Sequence, residues 1–412
     1  IRDSSTPAAR GIGISVLHGS SMLVYGGDTA AGQSAELWSL DLTTVPYTWN
    51  EIAPPAGTSA PAARYAHAAV LHGDTLVIFG GYTSNGNVND VWSMGQLDSV
   101  CGCSPCEPGS YSGSDGATSC SECAAGKYSS ELGASAESAC VSCDAAHVGY
   151  TSTSVGSPVC GVCAAGRYGS AGVSRGVDGD CELAWSAVAV TSGTSPSARR
   201  GVGAVLYGDE MVIFGGYGDV SFLNDVWSLD LTTDTWSQVS TSGTSPSVRR
   251  GSAAAVLYGH KMVIYGGCYS WPSGVLADVW TLDLLTDTWA EMTTFGTSTP
   301  AGRGFLYAVL YGDEMIIYGG WSGSARLGDA WSLDLTTSTW TSLSPVAGSG
   351  GSTPVARRNG ISVLHGSSML VYGGITTDSR SAELWSLDLT TVPYTWNEIC
   401  LLYTSPSPRD GT

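Results

Sequence analysis

Short apolar runs alternate with glycine-rich turns along most of this chain, a pattern that predicts β-strands. Residues 201–216 read GVGAVLYGDEMVIFGG, which is an apolar run, a Tyr-Gly turn and a second apolar run that ends in two glycines. An acidic residue, a Trp-Ser strand, the turn LTTDT and a second Trp follow. The pattern predicts four strands near 201–207, 210–215, 225–231 and 235–239, with LTTDT as a hairpin turn.

The same plan recurs six times, which indicates a repeat protein. Each copy begins with an arginine and carries a diglycine, whose second residue is Gly27, Gly81, Gly216, Gly267, Gly320 or Gly374. Neighbouring diglycines lie 51 to 54 residues apart, except that Gly81 and Gly216 lie 135 residues apart. The excess matches the length of residues 101–181, so an insert interrupts the second copy.

Twelve of the fourteen tryptophans fall at two repeated positions: Trp38, Trp92, Trp227, Trp280, Trp331 and Trp385, then Trp49, Trp185, Trp236, Trp289, Trp340 and Trp396. Recurrence at one structural place favours packing between repeats over aromatic platforms for a ligand. Trp271 and Trp321 fall outside this scheme, in loops just after diglycines. These two are the candidates for an exposed contact.

The combination of an arginine, a diglycine and two spaced tryptophans, at a period near 50 residues, resembles the kelch repeat over residues 9–94 and 182–399. The resemblance implies a β-propeller with one four-stranded sheet per blade. The fold class expected is therefore all-β, a six-bladed kelch-type β-propeller. Most copies lack the family's Tyr after the diglycine region, and only His67 matches its His near the first strand.

Residues 101–181 hold ten of the twelve cysteines, in a segment with almost no aliphatic core. Four CxxC pairs recur, each followed by a Gly-Tyr signature such as CAAGKY or CAAGRY. The segment resembles the ephrin-receptor-like cysteine-rich repeat of extracellular proteins. Because so small a core cannot offset chain entropy, we expect disulfides, formed by Cys101, Cys103, Cys106, Cys120, Cys123, Cys140, Cys143, Cys160, Cys163 and Cys181.

Ten cysteines leave the disulfide connectivity open. One hypothesis is a ladder that joins each CxxC pair to the next, which leaves Cys101 and Cys103 without evident partners. The alternative is zinc, since CxxC is also metal-ligand spacing. Regular reiteration, scarce lysine and the Gly-Tyr signature favour disulfides, and a mass measurement with reductant and with chelator distinguishes the two.

Residues 181–190, CELAWSAVAV, resume the second Trp strand of blade two. The insert is therefore predicted to lie in the turn between that blade's third and fourth strands, which gives propeller segments at 1–100 and 182–399 around the insert at 101–181. Residues 400–412 depart abruptly from the repeat and resemble a sequencing adapter translated in frame. We expect them to be non-native, with the true ends of the protein beyond both ends of this chain.

The formal charge of −19 argues against nucleic-acid or anionic-membrane binding. Nine of the 17 basic residues nevertheless lie at the starts of the repeats, near one mouth of the predicted channel. Such a ring suits a carboxylate or an acidic peptide. The candidate binding residues are Arg10, Arg64, Arg200, Arg250, Arg303, Arg358, Trp271 and Trp321. The alternative is that each arginine pairs with a loop carboxylate, namely Glu36, Asp90, Asp225, Asp278, Asp329 or Glu383.

No P-loop, HExxH, GxSxG or dinucleotide motif occurs in the sequence. Galactose-oxidase-like kelch propellers carry a copper site with a Tyr–Cys crosslink, but here Cys268 beside Tyr269 has no pair of histidines outside the repeat to complete a copper shell. His18, His72 and His365 occupy a turn position that is Tyr in the other copies. We therefore expect no catalytic residue, no metal and no cofactor.

These observations favour a non-catalytic extracellular module for protein interaction or adhesion, which presents a cysteine-rich arm to a protein or acidic-peptide partner. A structural wall or matrix component is the alternative, and a galactose-oxidase-like enzyme is a third possibility. Membrane association is expected only if an anchor lies outside this segment. The compartment is inferred from the cysteines alone.

Overall fold

The computed structural model describes residues 6–95 and 184–399, except 44, 55–56, 191–193, 250–253, 271, 349 and 378. It also describes six short strands between residues 103 and 169. These described residues form β-strands, turns and loops. No helix among them is long and apolar enough to cross a bilayer.

Six four-stranded antiparallel sheets, the blades, account for most of the described strands, and two carry a short fifth strand. Blade one contains Ile14–His18, Ser21–Tyr25, Leu37–Asp41 and Thr48–Ile52; blade two Ala68–His72, Thr75–Phe79, Val91–Met94 and Trp185–Ala187; blade three Gly203–Tyr207, Glu210–Tyr217, Phe222–Asp230 and Thr235–Val239. Blade four contains Ala254–Tyr258, Lys261–Tyr265, Val279–Asp283 and Thr288–Glu291; blade five Tyr307–Tyr311, Glu314–Trp321, Arg326–Asp334 and Thr339–Ser342; blade six Ile361–His365, Ser368–Tyr372, Leu384–Asp388 and Thr395–Glu398. In every blade, strands that follow one another in sequence are neighbours.

The sequence pattern of each strand follows from its place in the blade. The second strand reads as a continuous apolar run, as in Met22–Tyr25, because both of its faces are covered by neighbouring blades. The first strand alternates a Val, buried in every blade but the first, with small, half-exposed residues that line the central channel, namely Ser15, Ala69, Ala204, Ala255, Ala308 and Ser362. The fourth strand buries its Trp and exposes the next residues.

The diglycines let neighbouring blades approach closely. Gly215 has φ 66°, and an added Cβ would lie 2.9 Å from the carbonyl oxygen of Arg249 in the next blade. Glycine is needed where the backbone has positive φ and meets another backbone. The prediction that the second strand stops at the diglycine is wrong for blade three, because a bulge between Phe214 and Gly216 lets pairing continue to Tyr217. Blade five has the same bulge.

The predicted packing role of the two Trp positions is confirmed. The second Trp of a blade lies against an aromatic residue on the second strand of the preceding blade, as Trp236 does on Phe79 and Trp340 on Tyr265, with ring centroids 4.9 and 5.0 Å apart. The first Trp donates its indole N–H to the carboxylate two residues earlier, as Trp227 does to Asp225. Edge-on or tilted aromatic contacts thus join these blades to their neighbours.

Blade six closes against blade one without a shared strand. Arg10 donates its backbone N–H to the carbonyl of Ser381, and Gly374 donates to the carbonyl of Arg10. Ile12 donates to Asn359, and the hydroxyl of Tyr372 donates to the carbonyl of Pro7. The contacts at this seam repeat those between other neighbouring blades, such as Gly216 with Arg249.

The chain divides into two compact units, the first comprising residues 1–53, 61–93 and 186–412, and the second residues 54–60 and 94–185. In the second unit three short strand pairs are described: Cys103–Pro105 with Arg167–Gly169, Ser110–Tyr111 with Ser121–Glu122, and Lys127–Tyr128 with Val141–Ser142. The side chains of the ten cysteines lie outside the described residues, as do residues 400–412. The predicted disulfides therefore stay predictions.

Candidate functional site

One arginine per blade lies buried at the entrance to the first strand and pairs with a carboxylate of the same blade. The pairs are Arg10–Glu36, Arg64–Asp90, Arg199–Asp225, Arg249–Asp278, Arg303–Asp329 and Arg357–Glu383. The arginines are at most 2% exposed. These six are called the buried arginines below.

The contacts of Arg199 show what a buried arginine does. Its Nη1 and Nη2 donate to the two carboxylate oxygens of Asp225 at 2.6 and 2.9 Å, and Nη1 also reaches the carbonyl of Gly215. Trp227 donates to the same carboxylate at 2.7 Å. The arginine therefore joins the diglycine, the acidic residue and the Trp strand of one blade, which is a structural role.

Burial alone would raise the pKa of the Asp225 carboxyl, but the hydrogen bonds from Arg199 and Trp227 and the charge of Arg199 outweigh it, so the pKa lies below its usual range. The same balance holds for Asp90, Asp278 and Asp329. Arg10, Arg64 and Arg303 from the predicted binding set belong to these pairs and are 0–1% exposed. For them the structure favours the alternative of ion pairing with a loop carboxylate.

The residue after the buried arginine occupies a different place, on the same face as the loops that follow the diglycines. In blade three this residue is Arg200, whose Cζ lies 4.5 Å from the ring centre of Tyr82 and 4.9 Å from that of Tyr217. Its Nη1 donates to the Asn87 side-chain oxygen at 2.8 Å. Arg200 is thus held between two blades by cation–π contacts and a hydrogen bond. Arg250, the equivalent in blade four, lies outside the described residues.

In blade six the equivalent residue, Arg358, lies over Trp321 of blade five. The Cζ of Arg358 is 5.1 Å from the indole centre, and that of Arg326 is 6.0 Å from it. Trp321 donates its N–H to the carbonyl of Pro272 at 2.9 Å, and Phe305 lies 5.8 Å from the Arg358 Cζ. Trp321, Arg326 and Arg358 are called the arginine–tryptophan surface below.

Burial and the positive charge of Arg326 lower the pKa of Arg358. Arg326 was not among the residues selected from the sequence, because it does not lie at the repeated arginine position. The feature that could have identified Arg326 is the register of the hairpin, because Arg326 lies opposite Trp321 on the paired strand. Trp271, the other predicted exposed tryptophan, lies outside the described residues.

The channel between the first strands forms a cavity of about 230 Å³. Most of its wall consists of small or apolar residues, and His67 and Asn359 are its polar members besides two serines. His67 packs edge-on against Tyr25, with ring centroids 5.3 Å apart. The resemblance to a propeller predicted a channel but not which residues line it, because small residues of an inner strand look the same in sequence whether they touch a neighbour or a channel.

Burial, and then the charge of Arg64, lower the pKa of His67 to about 3, against an opposing effect of Asp90. The unfolded chain would bind a proton at this residue below about pH 6.5, whereas the folded protein would not until about pH 3. Stability is therefore expected to fall as the pH drops from 6.5 towards 4, by up to about 1 kcal/mol per pH unit from this residue. The measurement is the free energy of unfolding in urea at several pH values.

His67→Val is the matched variant, since Val202 stands at this position in blade three. The substitution should flatten the dependence of the free energy of unfolding on pH between pH 6.5 and 4. The loss of stability below pH 4, where the paired aspartates become protonated, should remain. An equally steep curve in His67→Val would contradict the assignment.

The histidines predicted as turn residues are confirmed at the ends of first strands. His18 contacts Asp74 of the next blade at 3.1 Å, and His72 contacts Asp209 at 2.8 Å. Tyr258 donates to Asp313 in the same way. Among the described residues, no three His, Cys, Asp or Glu side chains are grouped to hold a metal ion.

The KLHDC2/KLHL20/DRC7 Kelch-repeats domain matches residues 2–120, 180–320 and 306–412. The chain therefore belongs to the kelch-repeat family, and its propeller fold agrees with that assignment. The solved structure of YjhT aligns over 93% of this chain and 96% of its own, with a TM-score of 0.58 and 15% identity, which shows the fold alone.

Acyl-CoA-binding domain-containing protein 5 of Arabidopsis thaliana is 31% identical over 54% of this chain and 35% of its own length. Kelch domain-containing protein 3 of Bos taurus is 31% identical over 46% of this chain and 51% of its own length. The chain thus spans between a third and a half of these relatives. Kelch-repeat domains generally bind other proteins. This chain contains a domain of that family.

Proposed function

We propose that this protein is a non-catalytic, extracellular protein-interaction or adhesion module, and that the arginine–tryptophan surface binds an acidic segment of its partner. The observation that carries the proposal is the placement of two guanidinium groups over one indole. The buried arginines are satisfied within their blades, whereas this surface is only half-buried.

Electrostatics favours a carboxylate as the ligand of this surface. Arg326 and Arg358 carry like charges close enough for one to lower the pKa of the other. Within the described part of the chain, Arg326 makes no ion pair, and its Nε makes no hydrogen bond. A carboxylate placed between the two groups would relieve their repulsion and accept charge-assisted hydrogen bonds. The overall charge of −19 would discourage acidic ligands elsewhere on the protein.

Arg380 is a surface arginine that pairs with a carboxylate, whereas Arg326 makes no ion pair among the described residues. Arg380 pairs with Asp28 across the seam between blades six and one. Arg200 likewise has the Asn87 oxygen and two tyrosine rings. The arginine–tryptophan surface is therefore the better candidate for a ligand among the described surface arginines.

The test is binding of a hexaglutamate peptide, followed by the fluorescence anisotropy of a dye on the peptide. Arg326→Gln and Arg358→Gln should each weaken binding about tenfold, the effect of losing one charge-assisted contact. Binding should also weaken as salt is added. Lys261→Gln, which removes one exposed positive charge at the far end of a second strand, is the matched control and should change affinity little.

An equal loss in Lys261→Gln, or equal affinity for hexaglutamine, would contradict an acidic ligand at this surface. The extracellular setting rests on the cysteine-rich segment, whose ten cysteines suit an oxidising compartment. The mass of the intact protein should rise by about 10 Da on reduction if five disulfides are present. An unchanged mass, or zinc released by chelator, would contradict that setting.

A further inference from the structure

Two hairpin turns of every blade lie at the same end of the propeller, because neighbouring strands are antiparallel. One turn joins the first and second strands, and the other joins the third and fourth. In blade five, Tyr311 pairs with Glu314 and Glu314 pairs with Asp334, so both turns are at one edge of the sheet. This edge is called the turn end below. The buried arginines and the arginine–tryptophan surface lie at the opposite end, where the first strands begin.

The turn end is strongly acidic. Lys261 is the single Lys or Arg among its described turn residues. The acidic residues there are Asp41, Asp74, Asp209, Glu210, Asp230, Asp234, Asp283, Asp287, Asp313, Glu314, Asp334 and Asp388. Hydrogen bonds from the side chain and backbone of Thr390 hold the pKa of Asp388 below its usual range, so this carboxylate stays charged at neutral pH.

Two blades carry a longer turn at this end. Between the third-strand Asp and the fourth-strand Trp, blades three, four and five have LTTDT, LLTDT and LTTST, whereas blades one and six have LTTVPYT. The longer turn brings a valine to the surface, since Val45 is 83% exposed and Val392 is 81% exposed. Because three blades close the same hairpin without these residues, folding does not explain the exposed valines.

In blade six the exposed valine is part of a larger apolar patch. Val346 is 45% exposed and donates its backbone N–H to the carbonyl of Tyr394, two residues beyond Val392. Tyr394 packs against the apolar contact between blades five and six. Burial, and then the charge of Glu314, raise the pKa of the Tyr394 hydroxyl, which places this carboxylate of blade five near the ring. Val346, Val392, Tyr394 and Glu314 are called the valine–tyrosine surface below.

The composition of this surface indicates what it would bind. Covering exposed apolar side chains is favourable in proportion to the area removed from water, and exposed apolar patches mark interaction sites. The surrounding carboxylates attract positive charge. A phospholipid surface fits less well, because the same carboxylates repel anionic headgroups. A polypeptide segment in which basic residues flank apolar ones meets both requirements.

We propose that the valine–tyrosine surface is a second docking site, which binds a polypeptide segment with apolar side chains flanked by Lys or Arg. The apolar side chains cover Val346 and Val392, and the basic side chains interact with Glu314 and Asp388. The site lies at the other end of the propeller from the arginine–tryptophan surface, so it does not depend on the acidic ligand proposed there.

The probe is the dye-labelled peptide Lys-Lys-Leu-Leu-Lys-Lys, whose binding is followed by fluorescence anisotropy. Val392→Ser should weaken binding about tenfold, the effect of leaving one valine side chain uncovered. Glu314→Gln should weaken it about threefold, as expected for one exposed ion pair. The peptide Lys-Lys-Ser-Ser-Lys-Lys has the same charge without the apolar side chains and should bind about tenfold more weakly.

Two exposed positions provide matched controls. Val220 is 91% exposed in the loop between the second and third strands of blade three, at the end opposite the turns, and Val220→Ser should leave the affinity unchanged. Glu210 is the equivalent of Glu314 in blade three, whose turn carries Asp234 in place of the valine, and Glu210→Gln should weaken binding less than Glu314→Gln. Urea denaturation checks that each variant is folded.

Unchanged affinity in Val392→Ser, an equal loss in Val220→Ser, or equal binding of the serine peptide would overturn the proposal, because each would show attraction by charge alone. The absence of saturable binding up to about 1 mM peptide would also overturn it. Sedimentation of the protein with phosphatidylcholine vesicles, abolished by Val392→Ser, would identify a lipid surface in place of a polypeptide.

Discussion

Asp225→Ala is expected to lower the free energy of unfolding by about 3 kcal/mol, because it leaves the guanidinium of Arg199 buried without a counter-charge. Arg199 is 2% exposed, and its Nη atoms donate to both carboxylate oxygens. The carboxylate itself keeps a quarter of its surface in water, so the loss should lie at the lower end of the range for a broken buried pair. Urea denaturation at pH 7 measures the change.

Asp230→Ala is the matched control, five residues further along the same strand. Asp230 accepts hydrogen bonds from Thr232 and Thr233 in the exposed hairpin turn, and no arginine depends on it. Replacing Asp230 should lower the free energy of unfolding much less than replacing Asp225. Comparable losses in the two variants would show that the buried ion pair contributes nothing beyond a turn hydrogen bond.

The Arg–carboxylate pairs show how much of the candidate site could be predicted from the sequence. Six arginines, five of them followed by a carboxylate 26 residues later and Arg249 by one 29 residues later, predicted either a binding ring or six ion pairs, and the sequence could not choose. The choice depends on burial: Arg357 is 0% exposed, while Arg358, the next residue, is half-buried on a face. Two adjacent arginines in the printed sequence thus have different environments, because successive residues of extended chain point to opposite sides.

The candidate sites were less predictable than the fold. Repeated positions predicted the strands, the diglycine turns and the Trp contacts, since six copies of one pattern carry the same packing. Arg326 and His67 break the repeat, and their surroundings are formed by neighbours in other blades. Arg326 meets Arg358 across a blade boundary, and His67 lies beside Tyr25 of blade one. Sequence periodicity indicates what the blades share, whereas sites form where one blade differs.

Closure of the ring is a further feature that periodicity alone left open. The repeat pattern predicted six blades, but it did not indicate how blade six meets blade one. The structure closes the ring with the contacts used elsewhere, so the seam has the same noncovalent contacts as other boundaries, but among residues 6–399 no linker joins blade six directly to blade one. Where a short linker joins two blades, each blade surface stays close to its partner, so the effective concentration of the two surfaces is high. Blades one and six lack that advantage within the described residues.

Trp49→Ala is therefore expected to destabilise the protein by about 3–5 kcal/mol and to open the seam selectively. Trp49 is 5% exposed and its ring lies 5.0 Å from that of Tyr372 in blade six. Its indole nitrogen makes no hydrogen bond among the described residues, so Trp49→Phe should lose much less than Trp49→Ala. Urea denaturation measures the total loss, and amide hydrogen exchange locates it.

Trp340→Ala provides the matched control, because Trp340 is 3% exposed and packs on Tyr265 at the linked boundary of blades four and five. Trp340→Ala should lower the free energy of unfolding by about as much as Trp49→Ala does. The amides of Ile12 and Gly374, which donate across the seam, should exchange faster in Trp49→Ala than in Trp340→Ala, since opening the seam separates two surfaces that no linker holds together. Equal protection of these amides in the two variants would mean that the ring unfolds as one cooperative unit, and that the seam has no special weakness.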